Sequence, residues 1–394
     1  MNNYNFEEMA DRKNRSTIKW NVEHINKRFK TNIKKEDEFY PMFIADSDFV
    51  LPKEILDEFY KRYEKPDFGY YDLADSYFDA VMSWYQNIHK TKIKREWIIP
   101  TCGTVTSLRI MSELFGKDKN FLILTPVYRR FETCAQAGKL FTLALKLEDN
   151  YYKIDFEALE ESFKDNHIEV LIFCNPHNPG GRLWTKEELE KLVLLCKKYN
   201  VFLLSDEIHA DIIVNEKAFV SMINYHDLYD NIVVATSANK TFSISGLSTS
   251  YLLVTNADIA KRYNEYIANM HLEANRFGIE MTEMVYTYGQ KWHRALCDKV
   301  KENMELTSEI LKDTSAKIME CDAGYLLWIK LDEKINVDMF VDKLAKNENV
   351  FIENGNRFVA DYAGFVRINL ATSTKNVKEA MKRFKKIYLE MLGE

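Results

Sequence analysis

An α/β fold is what this sequence predicts, with a large domain built on a mostly parallel sheet between helices and a smaller α+β unit behind it. Three observations lead there. Short β-branched and aromatic runs alternate with long amphipathic stretches. Several of those runs are apolar without alternation, as in strands covered by helices on both faces. After Asp258 the texture changes to long helical periodicity followed by two short strand-like runs. Strand, helix, strand repeated several times is the pattern of a parallel sheet.

Taken in order, the first 50 residues are polar and irregular as far as Pro41-Met42-Phe43-Ile44-Ala45-Asp46, and they read as an arm. Strands are expected at 121–124, 140–147, 170–174, 201–205, 232–236 and 251–254. The clearest helix covers 185–199, where Thr185 and Glu188 form a capping box ahead of Leu189, Leu192, Val193 and Cys196. Helical periodicity runs from Ala257 to about Asp313. Strand-like runs follow at 325–331 and 365–370, and a helix over 377–392 closes the chain. The expected divisions are an arm at 1–47, a large domain at 48–285 and a small domain at 286–394.

Composition narrows the function classes. The chain has 394 residues, 46% hydrophobic and 29% charged, with 54 basic against 60 acidic residues and a net charge of −6. Disorder is excluded, and a mildly acidic balance argues against nucleic acid or membrane as partner. Six cysteines (102, 134, 174, 196, 297 and 321) are scattered without a CxxC pair, so free thiols in a reducing compartment are expected. The N-terminus lacks a signal layout, and no apolar run approaches the ~20 residues of a membrane helix. A soluble cytoplasmic protein is the expectation. The basic stretch Lys90-Thr91-Lys92-Ile93-Lys94-Arg95 is most simply a solvated helix end.

Three segments carry chemistry, each just after a strand. Phe173-Cys174-Asn175-Pro176-His177-Asn178-Pro179-Gly180-Gly181-Arg182 can only be a stiff loop at a strand's carboxyl end, where open α/β sheets bind ligands. By itself it could equally be a structural turn. Ser205-Asp206-Glu207-Ile208-His209 delivers two acids and a histidine to the same edge. A buried carboxylate there must meet a cation or a metal. No second cluster with ligand spacing accompanies it, and HExxH is absent, so no metal site is expected. Ser237-Ala238-Asn239-Lys240-Thr241 places a lysine among small hydroxyl residues at a strand end. Partial burial makes such an amine a nucleophile, whereas alone it would pass for a solvated loop lysine.

Together, an Asn, an Asp 28 residues later and a Lys 34 further on resemble the signature of fold-type I pyridoxal-phosphate enzymes. Within the aminotransferase class I/II superfamily, the chain resembles the cystathionine β-lyase-type C–S lyases (the MalY/PatB group) over almost its whole length. The resemblance is carried by Asp11-Arg12-Lys13-Asn14 with Lys19-Trp20, by Pro41-Met42-Phe43-Ile44-Ala45-Asp46-Ser47-Asp48-Phe49, by Phe68-Gly69-Tyr70 and by Thr125-Pro126-Val127-Tyr128. The segments 175–184 and 205–209 complete it.

What the resemblance implies is specific. The sheet is of the seven-stranded type, and the arm packs with the small domain and a partner subunit. Lys240 is the Schiff-base lysine of pyridoxal 5′-phosphate, and Asp206 keeps the pyridine nitrogen protonated. Asn178 bonds the ring O3′, His209 stands where typical aminotransferases carry tyrosine, and Tyr128 stacks on the ring. The phosphate lies on Gly103, Thr104 and Val105 at a helix N-terminus, with Ser237 adding a hydroxyl and Tyr70 reaching in from the neighbouring subunit of a homodimer. Arg367 clamps the substrate carboxylate, with Asn178 and Ala45 beside it. The implied reaction cleaves L-cystathionine, L-cysteine or another S-substituted cysteine to a thiol or hydrogen sulfide, pyruvate and ammonia. Two alternatives share these contacts: an aminotransferase, and a regulatory protein that merely binds the cofactor.

The chain departs from the pattern at several points. Ser248 stands where many aminotransferases have a phosphate-binding arginine, and Thr101-Cys102-Gly103 replaces a more usual turn. Phe43 replaces a frequent tryptophan and Asn21 a frequent aspartate. Arg129-Arg130 add two cations at the site mouth.

Overall fold

Seven strands form the central sheet: β1 Ile98–Thr101, β2 Asn120–Thr125, β3 Lys139–Ala144, β4 Val170–Cys174, β5 Phe202–Asp206, β6 Ile232–Thr236 and β7 Ser250–Val254. Their spatial order is β1-β7-β6-β5-β4-β2-β3. All pairs are parallel except those of β7, which runs antiparallel to both β6 and β1. The computed structural model describes residues 4–67, 69–360, 362 and 364–393. Phe68, singled out above, lies outside them.

The central strands β4, β5, β6 and β7 are buried along their whole length. That explains their unbroken apolar sequences, because helices cover both faces. Edge strand β3 instead is exposed or half-buried at every residue. The helix Lys186–Tyr199 starts on the Thr185/Glu188 capping box, both halves of which are formed. It ends on Asn200 in the left-handed conformation that relieves a helix C-terminus.

Four short strands make a second sheet, β8 Lys317–Ile318, β9 Leu326–Lys330, β10 Glu353–Asn354 and β11 Phe365–Asn369, in the order β8-β9-β11-β10. The helices Val337–Glu348 and Thr374–Leu392 pack on it through Phe340, Leu344, Met381 and Phe384. The long helix Gln290–Leu311 joins the two units: Trp292, Leu296 and Val300 enter the large core, and Leu311 enters the small one.

Several sequence expectations need correction. The run 140–147 is not one strand: Leu145 closes the parallel ladder through Thr125, and Lys146–Glu148 turns away to pair with Tyr151–Lys153. The periodicity over 257–313 is broken into three helices, Ala257–Met270, Arg276–Tyr288 and Gln290–Leu311. The first break falls at His271, in the left-handed region at φ 52°, and the second at Gly289. The strand expected at 201–205 is shifted by one, so that Asp206 is its last residue. The arm is not irregular throughout. Asn21 caps the helix Val22–Phe29, and Tyr40–Pro41 pairs in parallel with Val350–Phe351. Trp20, Ile25, Phe39 and Phe43 share a hydrophobic cluster with Ala345 and Phe351 of the small unit.

Candidate active site

The carboxyl ends of β4, β5 and β6 open onto one cleft of about 890 Å³. Cys174, Asn178, Asp206, Ile208, His209 and Lys240 line its floor, and Tyr128 and Arg367 line its walls. Each floor residue ends a buried strand or follows it within a few residues, so the sheet fixes their spacing.

Asp206 is 5% exposed. Among the described residues its side chain accepts one hydrogen bond, from the Ile208 N–H at 3.1 Å. Burial pushes its carboxyl up to about 6, against the pull of that bond and of Lys240. A carboxylate so poorly compensated fits a partner that brings its own proton-bearing nitrogen. Its neighbour Glu207 points the other way, into four donors from Ser205, Asn175, Ser221 and Met222.

Lys240 Nζ donates to the Ala45 carbonyl at 2.8 Å. Burial lowers the affinity of this amine for a proton. The Asp46 carboxylate opposes that shift, Arg367 reinforces it, and Asp206 opposes it. An amine held in this state is a competent nucleophile and base. His209 is buried with Nδ1 unpartnered among the described residues, and burial pushes it down to about 3, so its imidazole is neutral at pH 7.

Arg367, in the middle of β11, reaches the cleft from the small unit. Its Nη1 donates to Asn178 Oδ1 at 3.2 Å and its Nη2 to the Phe43 carbonyl at 3.1 Å. Nε is buried without a partner among the described residues. With Oδ1 so engaged, the Asn178 NH2 is the end left to donate. A buried guanidinium with spare donor capacity suits a carboxylate ligand.

At the other side, Gly103 (φ 152°) turns the chain from β1 into the helix Thr104–Phe115, whose first N–H groups have no side-chain cap. Thr104 and Val105 line the cleft there, and such a helix end attracts an anionic group. The donor set therefore fits pyridoxal phosphate: an amine for its aldehyde, a carboxylate for its ring nitrogen, an aromatic face and an uncapped helix end for its phosphate. Among the described residues no cluster suited to a metal ion exists.

Not every expected residue meets the others. Gly103 shapes the turn without lining the cleft. Ser237 spends its hydroxyl on the Thr249 carbonyl (2.8 Å) and on the Asn239 N–H (3.1 Å), inside the fold. Tyr70 is fully exposed and away from the cleft of its own chain.

The sequence reading missed the far wall of the cleft. Arg28 of the arm grips both oxygens of Glu353 on β10, each at 2.7 Å, and Arg357 holds the same carboxylate at 3.2 Å. Phe43, His24 and Phe358 complete that wall. Arg129 and Arg130 do lie at the mouth, with Arg129 paired to Glu132 at 3.4 Å. No local pattern announces a pair 325 residues apart, although the polarity of the arm was a usable hint.

A family model described as aminotransferase class I and II matches residues 53–384. Over 392 residues the chain is 29% identical to cystathionine beta-lyase PatB of Bacillus subtilis (strain 168), a match spanning 97% of this chain and 99% of that one. It superposes on cystalysin from Treponema denticola, a structure containing a pyridoxal 5′-phosphate cofactor, with a TM-score of 0.92 and 28% identity over 98% of this chain and 99% of that one. A pyridoxal-phosphate-bound protein from Clostridium difficile 630, provisionally named an aminotransferase, gives 0.91 and 30% over 98% and 100%. With the family model matching most of its length, this chain belongs to the aminotransferase class I and II family.

Proposed function

We propose that the chain is a pyridoxal-phosphate-dependent carbon–sulfur β-lyase acting on L-cystathionine, L-cysteine or a related S-substituted cysteine. The observation that carries this reading is the convergence of Lys240, Asp206 and Arg367 on one cleft, with no cation among the described residues in hydrogen-bond contact with Asp206. The names of its relatives, a cystathionine beta-lyase and cystalysin, support a lyase rather than a transaminase.

When bound, pyridoxal phosphate supplies an aldehyde that links to amines and a ring that takes up the electron pair left at Cα. The rest is the work of the chain. Lys240 holds the aldehyde, and Asp206 keeps a proton on the ring nitrogen. Asn178 donates to the ring oxygen, Tyr128 covers a face, and Thr104 and Val105 present N–H groups to the phosphate. Arg367 orients the substrate by its carboxylate, which places the Cα–H bond near Lys240. Released to a free amine, Lys240 Nζ takes the Cα proton. The thiolate then departs from Cβ, and the fragment left behind is hydrolysed to pyruvate and ammonia. In this reading the protein works in the cytoplasm as a homodimer in which exposed Tyr70 serves the neighbouring subunit.

An aminotransferase is the second reading, favoured by the name of the Clostridium difficile protein. Incubation of the cofactor-loaded chain with L-cystathionine and no added keto acid separates the two. Stoichiometric and continuing release of pyruvate and thiol supports the lyase. A single turnover that resumes only on adding a keto acid supports the transaminase.

A further inference from the structure

The reaction above leaves the arm motif unused, yet the arm is built into the site. Five successive carbonyls, 43–47, lie between the arm, the large sheet and the small sheet, and side chains from all three take them. Phe43 O accepts from Arg367, and Ile44 O from Asn369 at 2.6 Å. Ala45 O accepts from Lys240. Asp46 O accepts from Lys19 and Asn369, each at 2.8 Å, and Ser47 O from Ser243 at 2.8 Å. Backbone bonds anchor the stretch at its two ends, through Met42 O to Asn369 N–H and through Asp48 N–H to Ala371 O, and between them these side chains satisfy its carbonyls.

Two arm cations lock it. Lys19 and Asp48, each 1% exposed, pair at 2.9 Å, and Trp20 Nε1 donates to the same carboxylate at 2.8 Å. Arg12 pairs with Asp46 and donates to Ser243 Oγ at 2.6 Å. That hydroxyl shares its single proton between Asp46 Oδ1 at 2.7 Å and the Ser47 carbonyl at 2.8 Å. Ser243 is three residues beyond Lys240 and closes the short helix Asn239–Phe242 as its left-handed C-cap at φ 55°. Buried ion pairs add little stability over an apolar core of the same shape, so registering this backbone is the better account of them.

We infer that Arg12 and Lys19 are positioning residues of the reaction: they fix segment 43–47 so that the Ala45 carbonyl and the Asp46 carboxylate hold the Lys240 amine in place. The inference rests on the reading of Lys240 as the cofactor-bearing lysine. Around that amine stand Asp46 from the arm segment, Asp206 and neutral His209 from the large sheet, and Arg367 from the small one. Of these, Asp46 exerts the strongest charge effect on Lys240, and Arg12 neutralises Asp46 from behind.

Opposite signs follow for two substitutions. Removing the carboxylate in Asp46→Asn disfavours a proton on the Lys240 nitrogen. Removing its counter-ion in Arg12→Met favours one. The test is a pH titration of the visible absorption band of the cofactor-loaded full chain, for wild type, D46N, R12M and R12K. D46N is expected to lower the midpoint by about one pH unit and R12M to raise it, with R12K close to wild type. In both D46N and R12M, kcat is expected to fall about 10–100-fold.

Midpoints that stay put, or that move in the same direction, overturn the inference. If R12M does not fold, nearly isosteric D46N decides alone, and an unmoved midpoint is contradictory. A wild-type chain that forms no visible band overturns the functional reading and this inference with it. A normal band that titrates unchanged in D46N overturns only the inference.

Discussion

Asp206 and Asp211 leave the same strand end, are about equally buried, and live in opposite surroundings. Asp211 accepts from Trp84 Nε1 and His89 Nε2, both at 2.9 Å, and from Thr241 Oγ1 at 2.7 Å. Burial pushes its carboxyl up, but the bond and charge interaction of His89, the charge interaction of His293 and the Trp84 bond outweigh the push and hold it below the ordinary carboxylate range. Asp206 has one backbone N–H and sits near 6. A buried acid with its donors in place is a structural element, whereas one left short of donors is shaped for a ligand.

The largest effect that can break this contrast is on turnover. Asp206→Asn is expected to lower kcat for pyruvate release by about 10²–10³-fold, because an amide does not keep a proton on the ring nitrogen. Asp211→Asn should leave kcat within a few-fold when measured well below its melting temperature. It should cost about 3 kcal/mol of stability, read by urea unfolding, since three buried donors lose a charged acceptor. An Asp211 variant that keeps its stability and loses turnover would erase the distinction.

A pH series on the cofactor-free chain sharpens it. The Asp206 carboxyl is raised by folding, so its contribution favours the folded state at low pH and is lost as pH rises from about 4 to about 6. Relative to wild type, D206N should therefore gain stability across that window, by up to about 3 kcal/mol, and then level off. Asp211 is lowered by folding, so D211N should lose ground over the range in which wild-type Asp211 ionises. Urea midpoints of both variants from about pH 2 to about pH 8 check the two signs, the Asp211 change falling below 3.8 and the Asp206 change above it. The smallest effect belongs to the exposed mouth. Arg129→Ala should raise KM about two- to threefold for a substrate with a negatively charged S-substituent and leave it unchanged for S-methylcysteine.

The same contrast explains what was legible in the sequence. Asn178, Asp206 and Lys240 each follow an apolar run that only a covered strand tolerates, so their place at one sheet edge could be read from pattern alone. The capping box at Thr185 was equally local. Asp211 was passed over because nothing nearby reveals its donors, which come from 84, 89 and 241. Strand β1 was missed because it is four residues long and contains Pro100, admissible only because this is an edge strand. The arm helix Val22–Phe29 is only eight residues long, and its apolar stripe of Val22, Ile25 and Phe29 is too short to stand out in the sequence. Segment 43–47 and the Arg28–Glu353 wall depend on contacts across some two to three hundred residues, which only the folded chain displays.

The most direct check of the central claim is chemical. The purified chain is loaded with pyridoxal phosphate, reduced with borohydride, digested and mapped by mass spectrometry. A single stable pyridoxyl adduct on Lys240, absent from Lys240→Ala, is the predicted result. An adduct spread over surface lysines with none at 240 would contradict it.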